Sequence, residues 1–265
     1  MAASPTDDGD AVRTLVRAAT GRPGGLCVLT GAGMSAESGI ATFRDAMTGL
    51  WSRFDPAELA SEDGFRAHPQ RVWDWYAERR DRVRSAEPNA GHRALGEFQR
   101  RHPGVLALVT QNVDDLHQRG DVADTIRLHG DILADRWLDR CAKMPIGPAC
   151  DTAAAVPGRP PRCADCGNLV RPGVVWFGEM LPPAAIDAAE QAAQRCMLML
   201  VVGTSGAVWP AAGLAGVARR RGASVVIVNP EPSEIDDEAQ YVLRGTAATV
   251  LPALLLADAG GTQWT

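Results

Sequence analysis

Five groups of residues in this 265-residue chain have types and spacing suited to chemistry. Gly31-Ala32-Gly33-Met34-Ser35-Ala36 follows the apolar run Leu26–Thr30 and fits G-x-G-x-x-G/A. Glycines there permit a tight turn and let backbone amides approach a pyrophosphate, although many such strings are only strand-to-helix turns. Gln111-Asn112-Val113-Asp114 follows a second apolar run that ends at Thr110. At the carboxyl edge of a sheet such polar side chains face a ligand, or they turn the chain into a helix with Asn112 or Asp114 as cap. On the residues alone, capping is the simpler reading. His129 closes the run Thr125–Leu128 and precedes Gly130. An imidazole with a pKa of about 6.5 suits a general base at neutral pH, yet a lone histidine more often packs or caps; His68, His92, His102 and His117 are read as structural. Tyr76 and Arg79 stand three apart, on one face if residues 71–80 are helical. The plain alternative is an aromatic anchor beside a solvated arginine. Finally, Cys141, Cys150, Cys163 and Cys166 fall within 26 residues, whereas Cys27 and Cys196 lie in apolar runs and read as core.

The elements that must position these groups alternate. Leu26–Thr30, Val105–Thr110, Met197–Val202 and Ser224–Val228 read as buried strands. Asp10–Ala19, Gly91–Arg101, Ala184–Arg195 and Trp209–Arg221 carry helical spacing. Strand and helix in alternation imply an α/β fold, a Rossmann-like parallel sheet with helices on both faces. Residues 44–88, with Trp51, Trp73 and Trp75, and residues 131–172, rich in Pro, Gly and Cys, break the rhythm. They read as insertions forming a smaller second domain, one part helical and one a cysteine-containing module. The sheet domain then takes residues 11–43, 89–130 and 173–256, between flexible tails at 1–10 and 257–265.

Composition limits the function classes. With 46% apolar and 22% charged residues the chain can build a core, so overall disorder is excluded. A net charge of -5 argues against nucleic acid, whose binding relies on neutralising phosphates. The longest apolar run, Cys196–Val202, is too short for a membrane span, and the acidic N-terminus does not read as a signal peptide. A cytoplasmic protein whose six cysteines are not in disulfides is expected.

After the glycine string, an ordinary dehydrogenase has a second strand ending in an acidic residue. Here comes Glu37-Ser38-Gly39-Ile40-Ala41-Thr42-Phe43-Arg44-Asp45, which reads as a mobile loop over a nucleotide. GAGMSAESGIATFRD resembles the signature of the sirtuins, NAD-dependent protein-lysine deacylases. The resemblance continues through Gln111-Asn112-Val113-Asp114 with Asp115-Leu116-His117, Leu128-His129-Gly130, Val174-Val175-Trp176-Phe177-Gly178-Glu179, Gly203-Thr204-Ser205 and Asn229-Pro230-Glu231-Pro232. These motifs occur in the family's order, and the similarity is greatest to the bacterial and mitochondrial branch called class III.

The resemblance implies NAD as co-substrate and acyl-lysine proteins or peptides as partners, with no nucleic acid or membrane. Gly31, Ala32, Gly33, Glu37, Thr42, Phe43, Arg44, Trp51, Gly203, Thr204, Ser205, Asn229, Pro230, Glu231 and Ala247 would hold NAD. Gln111 would bond the nicotinamide ribose, Asn112 would position ribose and water, and Asp114 would hold the carboxamide. The acyl oxygen would displace nicotinamide at C1′ of the ribose. His129 would then deprotonate a ribose hydroxyl, leading to free lysine and O-acyl-ADP-ribose. Val175, Trp176, Phe177, Gly178 and Glu179 would receive the peptide as an added strand; an ordinary edge strand is the alternative. Tyr76 and Arg79 match the Tyr-x-x-Arg pair of the desuccinylase branch, and Ala60 its small pocket residue. The implied substrates are succinyl- and malonyl-lysine, with acetyl-lysine also accepted. The family often carries two Cys-x-x-Cys pairs that bind zinc. Here Trp137 and Arg140 stand at the first pair's positions, leaving Cys163 and Cys166, with Cys141 and Cys150 as shifted ligands; the rival is a metal-free module packed around Trp137. An NAD glycohydrolase or ADP-ribosyltransferase, and a catalytically silent NAD sensor, are alternatives on the same scaffold.

Overall fold

The computed structural model describes residues 5–40, 55–139 and 155–257. Its strands, in chain order, are β1 (Leu26–Thr30), β2 (Leu106–Thr110), β3 (Thr125–Arg127), β4 (Gly130–Trp137), β5 (Val170–Val174), β6 (Leu198–Val202), β7 (Ser224–Val228) and β8 (Tyr241–Leu243). The helices are α1 (Pro5–Ala19), α2 (Pro56–Leu59), α3 (Glu62–Ala67), α4 (Pro69–Ser85), α5 (Ala90–Arg101), α6 (Leu116–Arg119), α7 (Pro183–Arg195), α8 (Gly213–Arg220) and α9 (Ala247–Leu255).

Six strands pair in parallel in the order β3-β2-β1-β6-β7-β8. Their side chains alternate between the two faces, and both faces are covered. Leu26, Val28, Leu106, Leu108, Leu200 and Val226 pack with Val12 and Val16 of α1, Leu95 and Phe98 of α5, and Leu251 and Leu254 of α9. Cys27, Leu29, Val109, Met199, Val201 and Val225 pack instead with Ala189 and Ala193 of α7 and Leu214 and Ala218 of α8. Burying each large aliphatic side chain contributes about 1.5–3 kcal/mol, so these two layers anchor the sheet. Cys27 and Cys196 are core residues, as their apolar runs imply.

Both insertions contribute to one further core. Leu59, Ala60, Phe65, Val72, Trp75 and Tyr76 from α2–α4 and their links pack with Ile132 of β4, Val174 of β5 and Trp176. Ser61 starts α3 by accepting a hydrogen bond from the Gly64 amide (3.1 Å). β4 and β5 pair antiparallel. Buried Arg80 ties α4 to this hairpin, donating to the Ile132 and Ala134 carbonyls (2.5 and 3.0 Å) and to Asp135 (2.6 Å). At the far end, Trp137, Cys163 and Val170 pack with Trp73 and Ala155.

The structure departs from the sequence pattern at the ends of elements. Residues 5–10, expected in a flexible tail, are the first turns of α1. The helix expected from Trp209 starts at Gly213, after an irregular segment. β8 leaves no signal in the sequence, because three residues are too few to show a period.

Candidate active site

In chain order the strands proceed outward from β1 to β3 and then resume at β6 on β1's other side. Such a switch point opens a crevice at the strands' carboxyl ends. The turns after β1, β2, β3, β6 and β7 carry the five polar motifs of the sheet domain, so the topology gathers segments up to 200 residues apart.

The turn after β1 forms two short 3-10 segments, Ala32–Met34 and Ala36–Ser38, not an α-helix. Its glycines serve a contact within the protein: a Cβ on Gly33 would lie 2.7 Å from Gly203 Cα, and one on Gly31 2.7 Å from the Gly203 oxygen. Their absence lets the turns after β1 and β6 nest, with the Gly33 amide donating to the Gly203 carbonyl (2.8 Å).

Beside this turn lies a cavity of about 310 Å³, lined among others by Ala32, Gln111, Asn112, Asp114, His129 and Ser35. His129 Nδ1 lies 2.8 Å from the Gln111 carbonyl oxygen. A carbonyl only accepts, so Nδ1 carries the proton and Nε2 is left as the basic nitrogen. Burial lowers the His129 pKa, and the bond to Gln111 offsets part of that shift. The next residue, Gly130, has φ of +82°, and a Cβ there would sit 2.2 Å from the Gly173 oxygen. Only glycine fits this crossing of β4 and β5. The His129 carbonyl meanwhile accepts from the Val175 amide (2.9 Å), joining the base to the expected substrate segment.

Ser35 is the hub of the polar wall, and its place in the glycine string gives no hint of that role. Its hydroxyl donates to Asp114 Oδ2 (2.9 Å) and accepts from Asn112 Nδ2 (3.1 Å). Asp114 also takes the Leu116 amide at the start of α6 on Oδ1 (3.1 Å), while lining the cavity. Burial raises the Asp114 pKa, countered by the bonds from Leu116 and Ser35. Arg127, equally unmarked in the sequence, holds this loop by donating to the Val113 and Asp114 carbonyls (2.9 and 2.5 Å). Behind Ser35 lie His92 and His117, both fully buried, with rings 4.9 Å apart. His92 takes part in the cap of α5 and His117 bonds Thr30 (3.0 Å), in keeping with their structural reading. Burial lowers their pKa values to about 4 and about 3.

The same cavity reaches Ala60, Tyr76 and Arg79. Tyr76 and Arg79 lie one turn apart on α4. The Arg79 guanidinium rests 4.6 Å from the Trp75 ring centroid and 5.6 Å from that of Tyr76. Burial lowers the Arg79 pKa and raises that of Tyr76. Of the expected peptide-binding strand, β5 ends at Val174 and the following segment is irregular. The Phe177 amide donates to the Ala60 carbonyl (2.9 Å), bridging this segment to the loop after α2. Gly178 takes φ of +84°, turning the chain there. The Glu179 carboxylate is engaged within the protein, accepting from Arg171, Arg136 (3.0 Å) and the Trp176 amide (2.8 Å).

Other expected NAD contacts sit around the crevice or away from it. Gln111 Nε2 donates to Thr204 Oγ1 (3.2 Å). Thr204 and Ser205 accept from amides two residues on, at 3.3 and 3.4 Å, so they shape their own turn. Asn229 bonds the Glu231 carbonyl (2.8 Å), and Pro230 and Glu231 are exposed beyond β7. Glu37 points elsewhere: its carboxylate accepts from the Ala248 amide (3.1 Å) at the start of α9, where negative charge is favoured. Ala247 is buried at that helix start with its carbonyl against Gly91, a core position. Cys163 is buried and Cys166 exposed, in a turn closed by the Gly167 amide on the Cys163 carbonyl (3.0 Å). Thr42, Phe43, Arg44, Trp51, Cys141 and Cys150 lie outside the described residues.

Comparison with known proteins gives one answer. The NAD-dependent protein deacylase of Ralstonia nicotianae is 57% identical over 230 residues, 87% of this chain and 90% of that protein. Its namesake from Methylococcus capsulatus is 52% identical over 88% and 91% of the two chains. Among solved structures, a Sir2 homolog–NAD complex matches with a TM-score of 0.79 at 41% identity, covering 92% of each chain. A Sir2–p53 peptide–NAD+ complex matches with a TM-score of 0.75 at 30% identity over 91% and 95%. The pattern described as the Sir2 family matches residues 31–210, which run from the first glycine turn past the turn after β6, and the chain belongs to that family.

Proposed function

We propose that this protein removes acyl groups from protein lysines with NAD as co-substrate, and that it prefers succinyl and malonyl groups to acetyl. NAD-dependent deacylation is the activity of the relatives and of this chain. The acyl preference is carried by one observation: Tyr76 and Arg79 line the same cavity as His129. Arginine grips a carboxylate with two parallel charge-assisted hydrogen bonds, and a tyrosine hydroxyl adds a third donor. An acetyl group has no carboxylate for these donors to grip, so it gains nothing from them.

The residues present suit NAD. Buried Asn112 and Asp114 offer an amide and a carboxylate beside the turn after β1, and His129 presents Nε2 to the same space. NAD, when bound, supplies an electrophilic ribose carbon. Asp114 would hold the carboxamide, Gln111 and Asn112 the ribose, and His129 Nε2 would take a proton from a ribose hydroxyl. Two units, the parallel sheet and the α2–α4/β4–β5 lobe, would enclose the reactants between them.

A panel of acyl-peptides assayed with and without NAD tests the reading. Arg79→Met should lower kcat/KM for succinyl-peptide by about 100-fold, the scale of a lost charged hydrogen-bond pair, and for acetyl-peptide far less. Equal losses would withdraw the acyl assignment. Rapid nicotinamide release without any acyl-peptide would favour a glycohydrolase.

Zinc is a separate proposal. The Cys163–Cys166 turn suits half of a tetrahedral thiolate site, with Cys141 and Cys150 as the other ligands. Among the described residues no cluster of three candidate ligands occurs, and Cys163 also packs with Trp137. Elemental analysis of protein purified without chelator should give one zinc per chain; a value well below that overturns the proposal.

A further inference from the structure

A phenol hydrogen rotates to suit its partners, so a group that donates to the Tyr76 oxygen restricts where the Tyr76 proton can point. Trp176 provides the constraint. Its indole Nε1–H donates to the Tyr76 hydroxyl oxygen at 3.0 Å, between side chains 2% and 3% exposed. An indole N–H cannot accept, so the phenol oxygen is the acceptor and its own hydrogen must point elsewhere. Both residues line the cavity.

Trp176 is itself held from several sides. The Arg171 guanidinium stacks on its ring, 3.3 Å from the centroid, and Phe65 lies 5.3 Å away. Arg171 is 1% exposed and is held by Glu179 and the Val174 carbonyl (2.9 Å). Glu179 also accepts from the Trp176 amide (2.8 Å) and from Arg136. The Arg136–Glu179–Arg171 cluster thus fixes one ring, and that ring fixes one hydroxyl.

We propose that Trp176 is a specificity-determining positioning residue, whose indole N–H orients the Tyr76 hydroxyl to donate into the acyl pocket. It acts through Tyr76 and selects for acyl groups ending in a carboxylate. The inference rests on the acyl preference argued above.

The test is a double-mutant cycle of Trp176→Phe and Tyr76→Phe, read on succinyl- and acetyl-peptide with NAD. A neutral hydrogen bond of this kind is worth about fivefold. Trp176→Phe should therefore lower the succinyl-to-acetyl ratio of kcat/KM about fivefold, mainly through KM for succinyl-peptide. In the Tyr76→Phe background the same change should leave that ratio unaltered, because the hydroxyl it orients is gone. Additive effects on the ratio, or equal losses on both substrates, overturn the proposal. Trp176→His, which keeps a ring N–H, serves as a second variant if the phenylalanine form does not fold: partial retention of the ratio supports the proposal, and a ratio as low as that of Tyr76→Phe overturns it. Arg79→Met separates the two claims. If it is selective and the cycle is additive, only the role of Trp176 fails; if Arg79→Met is unselective, the acyl reading fails and this inference with it.

Discussion

A histidine becomes a base through what its other nitrogen does. The Gln111 carbonyl holds the Nδ1 proton of His129, which makes Nε2 the accepting nitrogen of the neutral ring and orients it from a backbone partner. His129→Ala should lower deacylation about 10²–10⁴-fold while NAD binding and the thermal midpoint change little. Turnover near wild type would remove His129 from the chemistry. Burial lowers the His129 pKa, so its basic form persists to more acidic pH. The acid limb of kcat/KM should accordingly lie below the ordinary histidine value of about 6.5. A limb above that value would assign the titration to another group.

At the scale of elements, the site depends on how β4 leaves β3. Gly130 bridges them with a left-handed φ and no room for a side chain, which sets His129 on one side and the paired hairpin on the other. Gly130→Ala should destabilise the protein by about 1–3 kcal/mol, the scale of a non-glycine residue forced into that region and against a carbonyl. Because the His129 carbonyl also anchors Val175, turnover should fall further than stability alone explains. Urea midpoints together with kcat check this. A variant with wild-type kcat would show that the hairpin can shift without moving the base.

For the molecule as a whole, two buried histidines link stability to pH. His92 and His117 stay neutral down to about pH 4 and about pH 3 in the folded protein, whereas in the unfolded chain they protonate near 6.5. Between those limits the unfolded state binds more protons, so stability falls as pH drops below about 6.5 and levels off only under the folded values. Each histidine should cost on the order of 1.4 kcal/mol for every pH step of one within that window, several kcal/mol for the pair. Urea midpoints measured from pH 7 to pH 4.5 should decline, and His92→Asn should flatten the decline. An unchanged midpoint across that range would mean that the folded protein takes up these protons as readily as the unfolded chain.

The sequence by itself made the layered α/β fold legible, because strands buried on both faces leave continuous apolar runs and amphipathic helices leave a 3.6-residue period. Leu26–Thr30 and Ser224–Val228 are strands over the same residues as their apolar runs. It also placed Gln111–Asp114 and His129, since polar residues that close an apolar strand must sit at its carboxyl edge. The tertiary structure decided everything that depends on a partner distant in the chain. Gly31 and Gly33 pack against Gly203, and Glu37 caps a helix 211 residues away. Ser35 joins Asn112 to Asp114 across 77 and 79 residues. The pairing of Trp176 with Tyr76 spans 100 residues. Local spacing carries no trace of such contacts. They arise because the parallel sheet gathers the turns at its strands' carboxyl ends and the insertions pack beside them, where buried donors and acceptors satisfy one another.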